Sequence, residues 1–309
     1  MQKILITGAA GFLGGHLTEH FASRGFTVGG LDAAPERCAP LDVLECYYQR
    51  DLPSNDLEQI IEDFAPDFCI HAAGSASVPA SFEDPAADFQ AGPVLTWHLL
   101  DALRRGAPAC KTLFLSSAAV YGSPRELPVT EDTELAPISP YGFHKLLSCQ
   151  VCREFAVLHG TKVAIARIFS AYGPGLRKQV VWDLCRQALT NGAISAQGTG
   201  AESRDFIHVA DVCRAAEAVL RDGDMCAGIY NFASGDETKI SELAATICSV
   251  AGSGCTVTFD GKVPEGTPLN WRADISRLQA LGFSTSVSVE DGVRETVEWC
   301  RGQMGNGGQ

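Results

Sequence analysis

Short, unbroken apolar runs alternate with stretches of helical periodicity through the first half of the chain. Ile4-Leu5-Ile6, Phe26-Thr27-Val28, Phe68-Cys69-Ile70, Thr112-Leu113-Phe114-Leu115 and Val163-Ala164-Ile165-Ala166 read as strands. Helices are expected from Gly14 through Ala22, near Gly92–Arg105 and near Pro140–His159. A strand that is apolar throughout is buried on both faces, and a helix between successive strands is the crossover that parallel pairing requires. The expected fold class is therefore α/β, a doubly wound parallel sheet covered on both sides. After about Ser170 the alternation lapses and Pro and Gly become denser, as in Tyr172-Gly173-Pro174-Gly175 and Val263-Pro264-Glu265-Gly266-Thr267-Pro268. We expect a sheet domain over residues 1–170 and a smaller lobe over 171–300, some of whose segments return to the first domain. Residues 301–309 read as a flexible, Gly-rich tail.

Charge and cysteine content narrow the class of partner. The 309 residues carry 24 Lys+Arg against 37 Asp+Glu, a formal net charge of −13. That balance argues against coating nucleic acid and against docking on anionic membranes, both of which need clustered basic residues. No apolar run is long enough to span a bilayer, and a first strand beginning at Lys3 leaves no room for a signal peptide. The 12 cysteines are scattered from Cys38 to Cys300 with no zinc-like Cys/His cluster. Cys149 and Cys152 have two residues between them but lie inside a helical pattern, where small buried residues are the expectation. A chain this long folds without disulfide staples, so a reducing compartment, the cytoplasm, is expected.

Thr7-Gly8-Ala9-Ala10-Gly11-Phe12-Leu13-Gly14 follows the first strand and opens the first helix. Glycines there allow a tight turn, a close approach of backbone to a pyrophosphate, and close packing of helix on sheet. The helix N-terminus offers unpaired N–H groups and partial positive charge to the anion. Asp32 stands 24 residues after Gly8, at the end of the next strand. A carboxylate at that place accepts the ribose hydroxyls of NAD and repels the 2′-phosphate of NADP, and Ala33-Ala34-Pro35 supplies no arginine clamp. NAD is the expected cofactor. Asp51-Leu52 and His71-Ala72-Ala73-Gly74 fall where later strands end over the same edge. His71 has no second ligand at a useful spacing, so a packed, hydrogen-bonded imidazole is expected there and no metal.

Ser116-Ser117-Ala118-Ala119-Val120-Tyr121 ends a strand, and Tyr141-Gly142-Phe143-His144-Lys145 opens a helix 24 residues after Ser117. Tyr141 and Lys145 are four apart and share a helix face. A tyrosine titrates near pH ~10. A lysine ammonium and a positively charged nicotinamide would both draw the phenol toward the working range. Ser117 can hold the same substrate oxygen.

With these residues in order, the chain resembles the extended short-chain dehydrogenase/reductase family, and within it the nucleotide-sugar epimerases and dehydratases. Ser139-Pro140-Tyr141-Gly142, the stretch from Arg167 to Gly175, Arg204-Asp205-Phe206-Ile207-His208-Val209-Ala210-Asp211 and Ala273-Asp274-Ile275-Ser276 extend the resemblance to about Cys300. It implies a Rossmann-like domain holding NAD and a C-terminal lobe gripping a nucleoside-diphosphate sugar. The catalytic set would be Ser117, Tyr141 and Lys145. The cofactor would meet Gly8, Gly11, Phe12, Leu13, Gly14, Asp32, Asp51, Leu52, Ala72, Ala73, Gly74, Ser116 and Phe169, together with Tyr141 and Lys145. The substrate would meet Ser77, Ser117, Tyr141, Ser170, Arg204 and Arg272, the two arginines clamping the diphosphate. On the residues alone, Arg204 beside Asp205 would form a local ion pair. His208 is expected to be structural. The resemblance also implies a homodimer built on the helices near Gly92–Arg105 and Pro140–His159.

Ala118 and Ala119 stand where relatives that dehydrate carry an acid, which favours a 4-epimerase of the UDP-galactose type over a 4,6-dehydratase. An NAD(P)H-dependent 4-ketoreductase is the alternative, and an NAD(H)-sensing protein on the same fold the non-enzymatic one. Three positions depart from the family pattern: Ser170 and the Gln90/Gly92 segment each replace an asparagine, and Cys149 replaces a glutamate.

Overall fold

The computed structural model describes residues 1–38, 41–252, 254–262 and 269–305. The first part of the chain runs β1 (Lys3–Thr7), α1 (Phe12–Ser23), β2 (Thr27–Asp32), β3 (Cys46–Gln49), α2 (Leu57–Phe64), β4 (Phe68–His71), α3 (Val78–Glu83), α4 (Pro85–Phe89), α5 (Leu95–Gly106), β5 (Lys111–Ser117), α6 (Pro140–His159) and β6 (Lys162–Ile168). It continues through β7 (Ser170–Tyr172), α7 (Gln179–Asn191), β8 (Ala193–Ala196), β9 (Ser203–Arg204), β10 (Phe206–His208), α8 (Val209–Asp222), β11 (Cys226–Phe232), β12 (Thr238–Lys239), α9 (Ile240–Ala251), β13 (Thr256–Phe259), α10 (Ser276–Gln279) and α11 (Val289–Gly305). The central sheet has seven strands in the order β11-β6-β5-β4-β1-β2-β3, all paired parallel. It is a doubly wound, Rossmann-like α/β fold whose strand order reverses between β1 and β4, the place where such sheets open a crevice.

Burial explains the strands. Ile4, Leu5 and Ile6 are fully buried and divide between two apolar layers. Ile4 and Ile6 pack with Leu17 and Phe21 of α1 and Val212, Ala216 and Val219 of α8. Leu5 faces Ile60 and Ile61 of α2, Leu99 and Leu103 of α5, and Cys152 and Phe155 of α6. A third layer, among α7, α9 and α11, forms the core of the C-terminal part. Helix α6 is bounded by Ser139, whose hydroxyl accepts from Gly142 N (3.1 Å), by Pro140 in its first turn, and by Gly160 in the left-handed conformation (φ 68°).

The seventh strand, β11, comes from beyond residue 171 and adds to the sheet edge at β6, a segment of the second lobe that returns to the first domain. Two expectations are revised. Helix α11 runs to Gly305, into the stretch read as tail, while 306–309 and 263–268 lie outside the described residues. Cys248 and Cys255 form a disulfide between the last turn of α9 and the approach to β13, against the expectation of a chain without one. The sequence separation of only 7 puts both cysteines on one short connection between α9 and β13. Cys149 and Cys152 are buried in α6 as anticipated. Among the described residues no helix is long and apolar enough to cross a membrane, and no group of three His, Cys, Asp or Glu side chains could hold a metal.

Candidate active site

The crevice between β1 and β4 is built by glycine. Gly8 adopts φ +74°, and a Cβ there would lie 2.7 Å from Ala73 N. A Cβ on Gly14 would lie 1.9 Å from Gly8 O. Gly11 begins α1 with no side-chain cap, so the N–H groups of the first turn point outward unclaimed by any side chain. A cavity of ≈ 230 Å³ borders this turn, lined by Ala10, Gly11, Phe12, Gly15, His16, Glu19 and Gly175. Asp32 closes the loop from the next strand, accepting from Ala10 N (3.0 Å) and Ala34 N (2.9 Å). On the other side Thr7 Oγ1 meets His71 Nδ1 at 2.9 Å and accepts from Ala73 N at 3.1 Å. His71 also approaches Thr96 Oγ1 (3.3 Å). Burial, with Lys145 adding to it, pulls its imidazole down to about 3. It is the packed, neutral histidine expected. A helix N-terminus without a cap, a cradle that any Cβ would fill and a carboxylate at the end of β2 fit a dinucleotide.

Ser117, Tyr141 and Lys145 come together at the carboxyl end of β5. Gly142 lets α6 press onto the 3-10 turn Ala118–Tyr121, since a Cβ there would lie 2.7 Å from Ala119 O. That contact sets Tyr141 beside Ser117, which acts on the phenol and whose hydroxyl accepts from Ala119 N (3.2 Å). Lys145 Nζ donates to Leu115 O (3.0 Å) and stands 5.8 Å from the centre of the Tyr141 ring. Burial pushes the Tyr141 phenol up to about 12, Ser117 opposing and Asp88 adding to it. Burial likewise pulls Lys145 down to about 8, opposed by Cys149 and Asp88. Without a cationic ring in the crevice, desolvation therefore outweighs the attraction on which the low phenol pKa was expected to rest.

The remaining expected residues fall into two groups. Ser116, one residue from Ser117, points to the opposite face, as strand periodicity demands. It is buried with its hydroxyl 3.1 Å from Cys149 Sγ, so it offers the crevice only backbone. Phe169 is buried between Tyr121 and Trp271. Asp51 and Leu52 follow β3, with Arg50 N bonded to Asp32 O (2.8 Å). Ser77 is the N-cap of α3. Ser170 opens β7, its N–H bonded to Asp205 O (3.0 Å).

Arg204 does not pair with Asp205. Its Nη1 donates to Ser203 O (2.6 Å) and Leu269 O (3.2 Å), its guanidinium lies 5.8 Å from the Trp271 ring centre, and burial lowers its pKa. The Asp205 carboxylate instead accepts from Ser234 N (2.7 Å), Gly235 N (3.0 Å) and Ala273 N (3.0 Å). Trp271 N donates to Ser203 O (3.3 Å), so the segments carrying Arg204 and the exposed Arg272 run side by side. Trp271, which the sequence reading passed over, sits at their junction with its indole N–H buried and unpartnered. His208 is buried, approaches Glu295 (3.4 Å) and caps α8, as a structural residue does.

A glycine-cradled crevice in a doubly wound parallel sheet, with serine, tyrosine and lysine at one strand end, defines an NAD-dependent enzyme of the extended short-chain dehydrogenase/reductase type. The chain belongs to the NAD-dependent epimerase/dehydratase family, whose model matches residues 4–233. A GDP-6-deoxy-D-mannose reductase of Pseudomonas aeruginosa is 33% identical, over 96% of this chain and 97% of its own. A UDP-glucose 4-epimerase of Azospirillum brasilense is 30% identical, over 97% and 92%. Among solved structures, the UDP-glucuronic acid 4-epimerase of Bacillus cereus, in complex with UDP-glucuronic acid and NAD, superposes with TM-score 0.88 at 26% identity, over 98% of this chain and 100% of that one.

Proposed function

We propose that the chain is a nucleotide-sugar 4-epimerase, acting on UDP-glucose, UDP-galactose or a related nucleoside-diphosphate hexose through a transient 4-keto sugar. The observation that carries this reading is the Ser117, Tyr141 and Lys145 cluster beside the turn Ala118-Ala119, which offers no acid to expel a C6 hydroxyl. Gly8, Gly11, Phe12, Leu13 and Gly14 would hold the NAD diphosphate, and Asp32 its ribose. Asp51, Leu52, Ala72, Ala73 and Gly74 would form the walls. Bound there, NAD supplies the hydride acceptor, its reduced form the donor, and its ring a positive charge.

In this reading Tyr141 takes the proton of the sugar 4-hydroxyl and later returns it. Ser117 donates to the same oxygen and fixes its position between phenol and crevice. Lys145, tied to Leu115 O, supports the phenolate by its charge. Arg204 and Arg272 anchor the diphosphate, for which guanidinium forks are suited, with Ser77 and Ser170 flanking the sugar. An anchored diphosphate and a loosely held hexose let the planar 4-keto ring turn its other face before reduction.

The reductase among the relatives favours one second reading, reduction of a 4-keto-6-deoxy sugar nucleotide by dissociable NAD(P)H. Incubation with a panel of UDP-, dTDP- and GDP-hexoses, followed by NMR, separates the two. Appearance of the 4-epimer with co-purified NAD and no net turnover of added NADH supports the epimerase. Stoichiometric consumption of NADH with a 4-keto-6-deoxy substrate would replace it by the reductase. We also propose a homodimer through α5 and α6, where Trp97, Phe143 and Leu147 are 41%, 53% and 44% exposed. Light scattering of Phe143→Glu/Leu147→Glu against the parent tests it, and an unchanged mass rejects that face.

A further inference from the structure

Beside the catalytic helix lies a charged pair that the proposed chemistry leaves unused. Asp88, at the end of α4, is 6% exposed although its neighbours Ala87 and Phe89 reach solvent. Its Oδ2 meets His144 Nδ1 at 2.6 Å, while Oδ1 is buried with no partner. His144 stands between Tyr141 and Lys145 on α6, three residues after one and immediately before the other, and Phe89 braces its ring edge-on at 5.4 Å. A buried carboxylate with one oxygen unpartnered is costly unless its charge acts on something nearby.

Lys145 is what lacks a counter-charge. Its ammonium touches a carbonyl and two aromatic rings, and no carboxylate pairs with it among the described residues. Cys149 occupies the place one turn further along α6, and its thiol is engaged with Ser116. The other acids of the adjoining helices are spoken for or remote in solvent: Asp84 caps α4 through Ala87 N (2.9 Å), and Glu83 of α3 is exposed. The titratable groups around the pair and Lys145 are thus Tyr141, His144, Cys149 and Cys152 of α6 and the buried His71 of β4.

We propose that Asp88, steered by His144, is a positioning residue that supplies the negative charge keeping the Lys145 ammonium intact beside Tyr141. The inference rests on Tyr141 and Lys145 being the proton-handling pair. The electrostatics agree in sign, since Asp88 opposes the loss of the Lys145 proton that burial promotes. The same charge raises the phenol, a cost that a cationic ring in the crevice would offset. Asp88 acts through Lys145 and touches no substrate oxygen.

Competitive acetylation of the purified protein with acetic anhydride, read by mass spectrometry at Lys145, measures its unprotonated fraction without any sugar nucleotide. With Lys145 near 8, removing the Asp88 charge in Asp88→Asn lowers it further, and labelling at pH 7 rises severalfold. Asp88→Glu, which keeps the charge, is expected to label within twofold of the parent. Should Asp88→Asn not fold, His144→Leu strips the carboxyl of its remaining hydrogen bond. The buried group then takes up a proton, and labelling rises in the same direction. Unchanged labelling in the folded variant, or an equal rise in Asp88→Glu, overturns the inference. Failure of the epimerase reading would appear separately, as absence of the 4-epimer with the labelling difference intact.

Discussion

Gly14 and Gly15 are adjacent helical glycines for which opposite outcomes are expected on substitution by alanine. Helix propensity alone favours alanine at both by up to ~1 kcal/mol. At Gly15 a Cβ would meet only Ala9 O at 3.8 Å, so Gly15→Ala should realise most of that gain. At Gly14 the Cβ would sit 1.9 Å from Gly8 O, 2.6 Å from Gly8 C and 2.9 Å from Ala9 Cα. Carbon and carbonyl oxygen keep about 3.3 Å apart, so the loop must retreat by more than an ångström. Gly8 cannot follow easily. Its N–H is bonded to Leu31 O (2.7 Å), its carbonyl accepts from Gly11 N (2.9 Å), and its φ is already +74°. Overpacking of this kind costs about 1–3 kcal/mol or more, which exceeds the propensity gain. Gly14→Ala is expected to lose about 1–2 kcal/mol net and to bind NAD at least about tenfold more weakly, the equivalent of ~1.4 kcal/mol. Urea denaturation of both variants without cofactor, with NAD titration of Gly14→Ala, measures these effects. A Gly14→Ala protein as stable as Gly15→Ala, with parental NAD affinity, would refute the close-approach argument.

Tyr141→Phe should lower kcat by at least about 10²-fold with KM for the nucleotide sugar little changed. Retention of kcat would remove Tyr141 as the proton carrier. The unfolded chain protonates His71 below 6.5 while the folded protein holds it neutral to about 3, so the unfolded state binds more protons across that window. His71 should therefore cost about 2 kcal/mol of stability between pH 6.5 and 5, and a His71→Asn variant whose denaturation shows the same acid sensitivity would contradict it. Reduction of Cys248–Cys255, which closes a short loop (sequence separation 7), should cost about 2 kcal/mol. Denaturation with and without dithiothreitol, with Cys255→Ser as control, reads this directly.

Local pattern made the N-terminal half legible. The apolar runs at Ile4, Phe68, Thr112 and Val163 each lie in a strand of the sheet, and Ser139-Pro140 with Gly160 bounds α6. The glycine turn was readable because its spacing answers one steric demand, two backbone segments at contact. Strand β11 was not, because Cys226–Phe232 is only partly apolar-faced and joins the sheet by pairing with a strand some 60 residues earlier. The local ion pair that adjacency suggests for Arg204 does not form, because Asp205, its neighbour in sequence, alternates to the other side and is satisfied by Ser234, Gly235 and Ala273. The Asp88–His144 pair joins two helices 56 residues apart and carries no signal in either segment.

The late arrival of β11 has a bearing on biosynthesis. Until residue 232 has left the ribosome, the nascent sheet ends at β6, whose outer row of N–H and C=O groups from Val163 to Ile168 has no partner. An exposed apolar edge is a template for unwanted pairing, so intermediates held at that length should be the ones that depend on chaperones. A chain cut at the apparent end of the dinucleotide domain is therefore expected to aggregate.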